Sequence, residues 1–189
     1  MKIVVSFKVV SDDQDIQVSA DRTLDCSKAK GIVSAYDLNA LEAAAQLGAA
    51  GEDSRVVAVT AGPSSIDDSK LKKNVLARGV DELFMTADDA CADMDAHATA
   101  AALADLLGKV GEYDLILCGD GSADNYAQQV DVQLAAKLGP LSTALPRSSS
   151  APALQPSNVF SKTLSRPSRF LCLPSSLSFP TLLCPASRA

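Results

Sequence analysis

Residues 114–130 read DLILCGDGSADNYAQQV and join an apolar run to a loop rich in Gly, Ser and Asp. Asp114–Cys118 is short and apolar, which predicts a buried strand. Gly119–Asp124 predicts a turn, and from about Asn125 to Leu138 apolar positions recur at helical spacing. The stretch therefore predicts a strand, a tight loop and a helix in succession, which is the repeating unit of a parallel α/β sheet.

Towards the N-terminus the chain repeats this alternation. We predict three further strands and three further helices, in the order Lys2–Val10, a helix from Ser34 to Gly48, Arg55–Ala61, a helix from Ser65 to Gly79, Glu82–Thr86, and a helix over Asp95–Leu107 that Gly108 ends. Both Ser34–Asp37 and Ser65–Asp68 have the spacing of a capping box. Four strands alternating with four helices predict an α/β fold, an open parallel sheet with helices on both faces.

The C-terminal part of the chain differs sharply in composition. Residues 140–189 contain none of the 23 acidic residues and none of the ten glycines, but they hold eight of the nine prolines and five basic residues. Because Pro interrupts helices and central strands, we predict an irregular tail whose apolar clusters, such as FLCLP at residues 170–174, lie against the sheet edge without regular pairing. Two interpretations stay open, a Pro/Ser-rich linker and a segment translated out of frame. We therefore divide the chain into a body, residues 1–139, and a tail, residues 140–189.

Composition excludes several classes of protein. The net charge of −6 argues against general nucleic-acid binding, and no apolar run reaches the roughly 18 residues of a membrane span. Five cysteines without a CxxC pair suit unpaired thiols in a reducing cytoplasm. The single histidine, His97, leaves no Ser/His/Asp or Cys/His arrangement to build. We expect neither a catalytic centre nor a metal site.

The loops that follow the strands are the expected ligand site, because ligands of open parallel sheets bind beyond the carboxyl ends of the strands. These segments are Ser6–Asp12, Ser34–Asp37, Ala61–Ser65 and Gly119–Gln129. In the last one, glycines allow a ligand to approach the backbone, and a following helix N-terminus suits phosphate. Asp120 and Asp124 would repel phosphate, so we expect them to point away, to cap the helix, or to contact ribose or base. A simple turn is the alternative.

Several motifs in fixed order resemble the beta subunit of electron transfer flavoprotein. They are MKIVVSFKVVSDDQDIQV, VSAYDLNALEAA, VVAVTAGPSS, VLARGVDELFM and DLILCGDGSADNYAQQV, and GDGSADNYAQQV is most similar to the Fix-type branch. The resemblance covers about residues 1–139. It implies a flavodoxin-like α/β subunit, of the type also found in adenine nucleotide α-hydrolases, which binds AMP or FAD. It further implies an electron carrier that pairs with an FAD-bearing alpha subunit and serves dehydrogenase partners.

Carried over by position, the resemblance implies a nucleotide pocket built from strand ends and helix starts. The implied residues are Ser6, Ser34, Ala35, Tyr36, Asp37, Ala61, Gly119, Asp120, Gly121, Ser122, Ala123, Asp124, Asn125, Gln128, Gln129 and Val130. Two departures leave the nucleotide open: members often have Asn-Pro at positions 34 and 35, and a basic residue is common at position 120.

The tail departs further, because family chains continue with another strand, a recognition loop for dehydrogenases and an arm that embraces the alpha subunit. If the tail is out of frame, these parts are missing and assembly of the heterodimer is not expected. The alternative function is a nucleotide-hydrolysing protein of the adenine nucleotide α-hydrolase group. Such enzymes often have a Gly-rich phosphate loop after the first strand, whereas this chain has Lys8–Asp12 without Gly.

Overall fold

A computed structural model describes residues 1–139 except residue 52, together with the backbone of residues 142–144 and 169–173. The strands are β1 (Lys2–Ser6), β2 (Val9–Ser11), β3 (Gln17–Val18), β4 (Leu24–Asp25), β5 (Gly31–Val33), β6 (Arg55–Gly62), β7 (Glu82–Ala87), β8 (Leu115–Gly119), β9 (Ser142–Ala144) and β10 (Arg169–Leu173). The helices are α1 (Ala35–Ala50), α2 (Ser69–Leu76), α3 (Ala96–Val110) and α4 (Val130–Leu138). Every one of these helices is too short or too polar to be a transmembrane span.

The main sheet has the strand order β7-β6-β1-β8-β10-β9, and all its neighbouring strands are parallel. The predicted α/β class is confirmed, and the four predicted strands of the body are β7, β6, β1 and β8. Two antiparallel pairs, β2 with β5 and β3 with β4, lie outside this sheet.

Helices cover both faces of the sheet, and the alternation of side chains explains how. Ile3 and Val5 of β1 pack with α1 and α2, whereas Val4 packs with α3 and α4. All three are fully buried. A strand buried on both faces needs apolar residues at every position, and for this reason β1 reads as a continuous apolar run.

The predicted strand Lys2–Val10 is wrong at its C-terminal end. The chain leaves the sheet after Ser6, and the Lys8 N–H donates to the Asp37 carboxylate at 2.7 Å instead of to a neighbouring strand. Val9 then begins the separate strand β2, which pairs with β5. A side chain from α1 thus ends the central strand, and the apolar pattern alone does not reveal this.

Four predicted helix boundaries also need correction. Helix α1 continues through Gly48, its predicted end, to Ala50. Helix α2 begins at Ser69, because Asp68 and not Ser65 accepts the N–H groups of Lys70 and Leu71. Helix α3 runs through Gly108 to Val110 and ends at Gly111, which has a φ of 81°. Helix α4 begins at Val130 instead of near Asn125.

The prediction that the tail lacks regular pairing is wrong for two segments, β9 and β10, which pair with each other in parallel. Arg169–Leu173 pairs in parallel with β8, from Arg169 opposite Leu115 to Leu173 opposite Gly119. This five-residue run lies between Pro167 and Pro174 and contains no Pro, so every residue in it can donate an N–H. Apart from β9 and β10, the tail lies outside the described residues.

Candidate functional site

A cleft of about 580 Å³ opens at the carboxyl ends of β1, β6 and β8. The chain order of the strands reverses here, because β6 and β7 follow β1 on one side and β8 returns on the other. Crevices at such a reversal are the usual ligand sites of open α/β sheets. The position of the cleft therefore agrees with the segments predicted from the strand ends.

At the floor of the cleft Ser6 of β1 meets Cys118 of β8. The Ser6 hydroxyl donates to the Cys118 Sγ across 2.8 Å, and both residues are buried. Burial raises the pKa of the Cys118 thiol far above its usual range, which keeps the thiol protonated. Cys118 is therefore an inert part of the core, as its place in a buried strand predicts.

Asp37, in the first turn of α1, joins the ends of β1 and β8. Its carboxylate accepts the N–H of Lys8 at 2.7 Å and also the N–H of Gly119. The side chain is buried, and this burial raises the pKa of Asp37 to about 7. The two hydrogen bonds and the positive charge of Lys8 lower the pKa, but they do not outweigh the burial. The charge of Asp120 raises the pKa further. The predicted capping box is wrong, because Ser34 makes no side-chain cap and instead accepts the Ala123 N–H at 3.2 Å.

Gly119 is required by this contact. A Cβ at position 119 would lie 2.4 Å from Asp37 Oδ1 and 3.3 Å from Asp37 N. Asp37 N is backbone at the start of α1, and the buried Asp37 carboxylate is held by the Lys8 N–H, so neither atom moves away easily. The sequence prediction assigned Gly119 to ligand approach, and its first structural role is to admit the Asp37 carboxylate.

Gly121 admits a second side chain, Tyr126. A Cβ at position 121 would lie 2.5 Å from Tyr126 Cδ2. The Tyr126 ring also packs against Tyr36, tilted by 34° with centroids 5.0 Å apart, and its hydroxyl donates to Asp120 at 3.1 Å. Tyr126 and Gln128 have φ values of 44° and 54°, a left-handed conformation that prevents the helix from starting at Asn125. These contacts hold the loop against the start of α1.

The two acidic residues of the loop differ in their surroundings. Asp120 is buried and is not part of the cleft wall, so its side chain points away from the cleft, one of the expected outcomes. Asp124 lines the cleft but pairs with the Lys8 ammonium at 2.6 Å. Burial raises the pKa of Asp124, and hydrogen bonds from Lys8, Ser122 and Asn125 outweigh it, so the pKa is lowered and Asp124 stays ionised.

The start of α4 forms part of the wall, through Gln129, Val130 and Asp131. Gln129 is the N-cap and makes no side-chain cap. The Gln129 side chain therefore accepts no hydrogen bond from the first N–H groups of this helix. These N–H groups form the positive end of the helix dipole. This end of the cleft can accept a phosphate.

The structure brings most of the predicted residues into the cleft wall. Those that line it are Ser6, Asp37, Ala61, Gly119, Gly121, Ser122, Asp124, Asn125, Gln128, Gln129 and Val130. The remaining five, Ser34, Ala35, Tyr36, Asp120 and Ala123, are not in the wall. Ser34, Tyr36 and Asp120 support the loop from behind.

The site residues predicted from the sequence leave out several parts of the wall. Residues 91–96, from Cys91 to Ala96, line the cleft after β7, and Lys8 lines it after β1. Lys8 lies within the Ser6–Asp12 segment that the strand ends nominate. The residues after β7 could be found only by extending the same rule to the third predicted strand, whose place at the sheet edge is not encoded in any local pattern.

Comparison with known families places this site in a known domain. A model of the electron transfer flavoprotein domain matches residues 22–143, which is more than half of the 189-residue chain. The match includes α1, the loop after β8 and α4, and therefore most of the cleft wall.

Proposed function

The chain belongs to the electron transfer flavoprotein family, and on that premise we propose that it is a beta subunit of the Fix-type branch whose cleft binds AMP or FAD. Its partner is an FAD-bearing alpha subunit, and the pair carries electrons between dehydrogenases and an acceptor. The subunit itself performs no bond chemistry.

The observation that carries this proposal is the loop from Gly119 to Gln129. It connects β8 to an α4 N-terminus without a side-chain cap, and both ends of the loop line a cleft at the reversal of strand order. Backbone N–H groups in this position favour a phosphate group. A nucleotide is the phosphate-bearing ligand that the family membership favours.

The experiment identifies the nucleotide that is released when the purified protein is denatured. We expect AMP or FAD from the native chain and none from Gly121→Val, because a branched side chain at position 121 displaces Tyr126 and with it the loop. Gly108→Val is the matched control, since a Cβ at position 108 meets nothing within 4 Å. Circular dichroism checks that both variants fold.

Three results would contradict the proposal. One is wild-type nucleotide content in Gly121→Val, which would place the nucleotide elsewhere. Another is a folded native chain that neither retains nor binds AMP or FAD. The last is bound ATP that the chain hydrolyses, which would favour an adenine nucleotide α-hydrolase.

Pairing depends on the tail. Under the out-of-frame interpretation, the 189-residue chain holds nucleotide but gives little heterodimer when co-expressed with an alpha subunit. Restoring a frame that encodes an acidic, Gly-containing continuation then gives a co-eluting flavin complex. A stoichiometric complex from the unrepaired chain would instead support the Pro/Ser-rich linker.

A further inference from the structure

The charges around the cleft do not match those of a phosphate-bearing ligand. Among the described residues, Lys8 is the single basic side chain of the wall, whereas the acidic ones are Asp37, Asp93, Asp95, Asp124 and Asp131. Lys8 is already paired with Asp124. An anion that enters this cleft meets uncompensated negative charge unless a carboxylate is neutralised.

Asp37 is the carboxyl group of the wall best placed to be neutralised, and Asp120 is a buried neighbour of it. Asp37 is 6% exposed and Asp120 is 7% exposed, so both are withdrawn from water. Asp120 accepts from the Tyr126 hydroxyl through Oδ2, but its buried Oδ1 has no hydrogen-bond partner among the described residues. The negative charge of Asp37 is therefore costly, because its carboxylate is buried and Asp120 lies near it.

We propose that a phosphate-bearing ligand binds in the cleft together with uptake of one proton by the Asp37 carboxylate. The inference rests on the proposed function, because it assumes a nucleotide at the loop after β8. It adds that the acidity of the medium regulates occupancy of the cleft.

The elements that pack against Asp37 supply groups that favour its protonation and groups that oppose it. From the end of β1, Lys8 donates its N–H and contributes a positive charge that favours the carboxylate. Strand β8 contributes the Gly119 N–H and the neutral Cys118 thiol, and the loop after it contributes the negative charge of Asp120. Asp131 in α4 adds a negative charge that acts on Cys118. Burial outweighs the favourable contacts and raises the pKa of Asp37 to about 7.

A ligand phosphate would raise the proton affinity of Asp37 further. A Cβ added to Gly119 would lie 2.4 Å from Asp37 Oδ1, so the Asp37 carboxyl group directly adjoins the backbone of the loop after β8. Like charges in a site of low dielectric repel strongly, and protonation removes one of them. If only the protonated form binds, the affinity falls by about tenfold from pH 6 to pH 8.

The test is calorimetric titration of the full chain, stripped of nucleotide, with AMP and in parallel with FAD. Titrations at pH 7.5 in two buffers of different ionisation enthalpy give the number of protons taken up. FAD separates protein from ligand, because its pyrophosphate does not titrate near neutral pH. We expect uptake of about half a proton or more for the wild type with either ligand, and little uptake with FAD for Asp37→Asn.

Two further variants sharpen the assignment. Asp120→Asn removes the neighbouring charge, so the pH of maximal uptake moves down. Asp105→Asn, on the exposed side of α3, is the matched control and leaves uptake unchanged.

Equal uptake in the wild type and Asp37→Asn would overturn the inference, and so would wild-type binding without uptake, while the proposed function would stand. Absence of AMP and FAD binding at every pH would overturn both.

Discussion

The starts of α1 and α3 carry the same residue type and use it in opposite ways. Asp95 accepts the Ala98 N–H at 2.7 Å, caps its own helix and stays exposed. Asp37 turns away from its helix to accept the N–H groups of Lys8 and Gly119, and it is buried. The Asp95 carboxylate caps its own helix and so stabilises the fold. The Asp37 carboxylate connects two strand ends and so shapes the site between them.

The largest effect on stability is expected where the contact between the Asp37 carboxylate and Gly119 is blocked. Gly119→Ala forces a Cβ against Asp37 Oδ1 and the α1 backbone, so the free energy of unfolding falls by about 2–3 kcal/mol. Gly108→Ala, in the open helix α3, raises it by up to about 1 kcal/mol. Urea unfolding measures both. Equal stability of Gly119→Ala and the wild type would show that Asp37 does not occupy this place.

The second effect is a pH dependence that belongs to Asp37 alone. Its pKa is raised from 3.8 to about 7, so its contribution to stability is complete below about pH 4 and is lost as the pH rises through 7. Between pH 5.5 and pH 8 the wild type should lose about 2 kcal/mol relative to Asp37→Asn. Unfolding curves at the two pH values test this, and parallel losses in both proteins would contradict it.

The third effect concerns Asp95, the exposed helix cap of α3. Asp95→Ala removes a helix cap and lowers the free energy of unfolding by about 1 kcal/mol. Urea unfolding of the variant and the wild type measures this loss. Equal stability of the two proteins would mean that Asp95 does not cap α3 as described.

The smallest effect on stability is expected at Lys8. Its ion pair with Asp124 is partly exposed, so Lys8→Gln should change the free energy of unfolding by less than about 1 kcal/mol. Affinity for AMP should fall by about fivefold, roughly 1 kcal/mol, because Asp124 loses its counter-charge. Equilibrium dialysis at low and moderate salt measures the change. A loss of folding in this variant would contradict the account.

Local patterns in the sequence predict the four strands β1, β6, β7 and β8, the four helices and the loop after β8, because each depends on apolar spacing and glycine. They do not predict what Asp37 contacts. Ser34–Asp37 and Ser65–Asp68 have the same spacing, yet neither Ser is the side-chain cap, and only Asp68 caps a helix. The difference comes from the neighbouring strand ends, which only the folded sheet brings to α1.

Two other parts of the site depend on long-range order in the same way. The segment after β7 reaches the cleft only because of the strand order, which no local pattern contains. The start of α4 is delayed to Val130 because Tyr126 packs under Gly121 and on Tyr36. Helical periodicity after Asn125 carries no sign of that contact.

The central claim is that the loop after β8 and the start of α4 hold a nucleotide phosphate beside Asp37. Backbone amide chemical shifts, followed by nuclear magnetic resonance while AMP is added to the nucleotide-free chain, test it most directly. We predict saturable shifts concentrated at Gly119, Gly121, Ser122 and Val130, with α2 unaffected. Saturable shifts confined to α2, or no shifts at millimolar AMP, would contradict the claim.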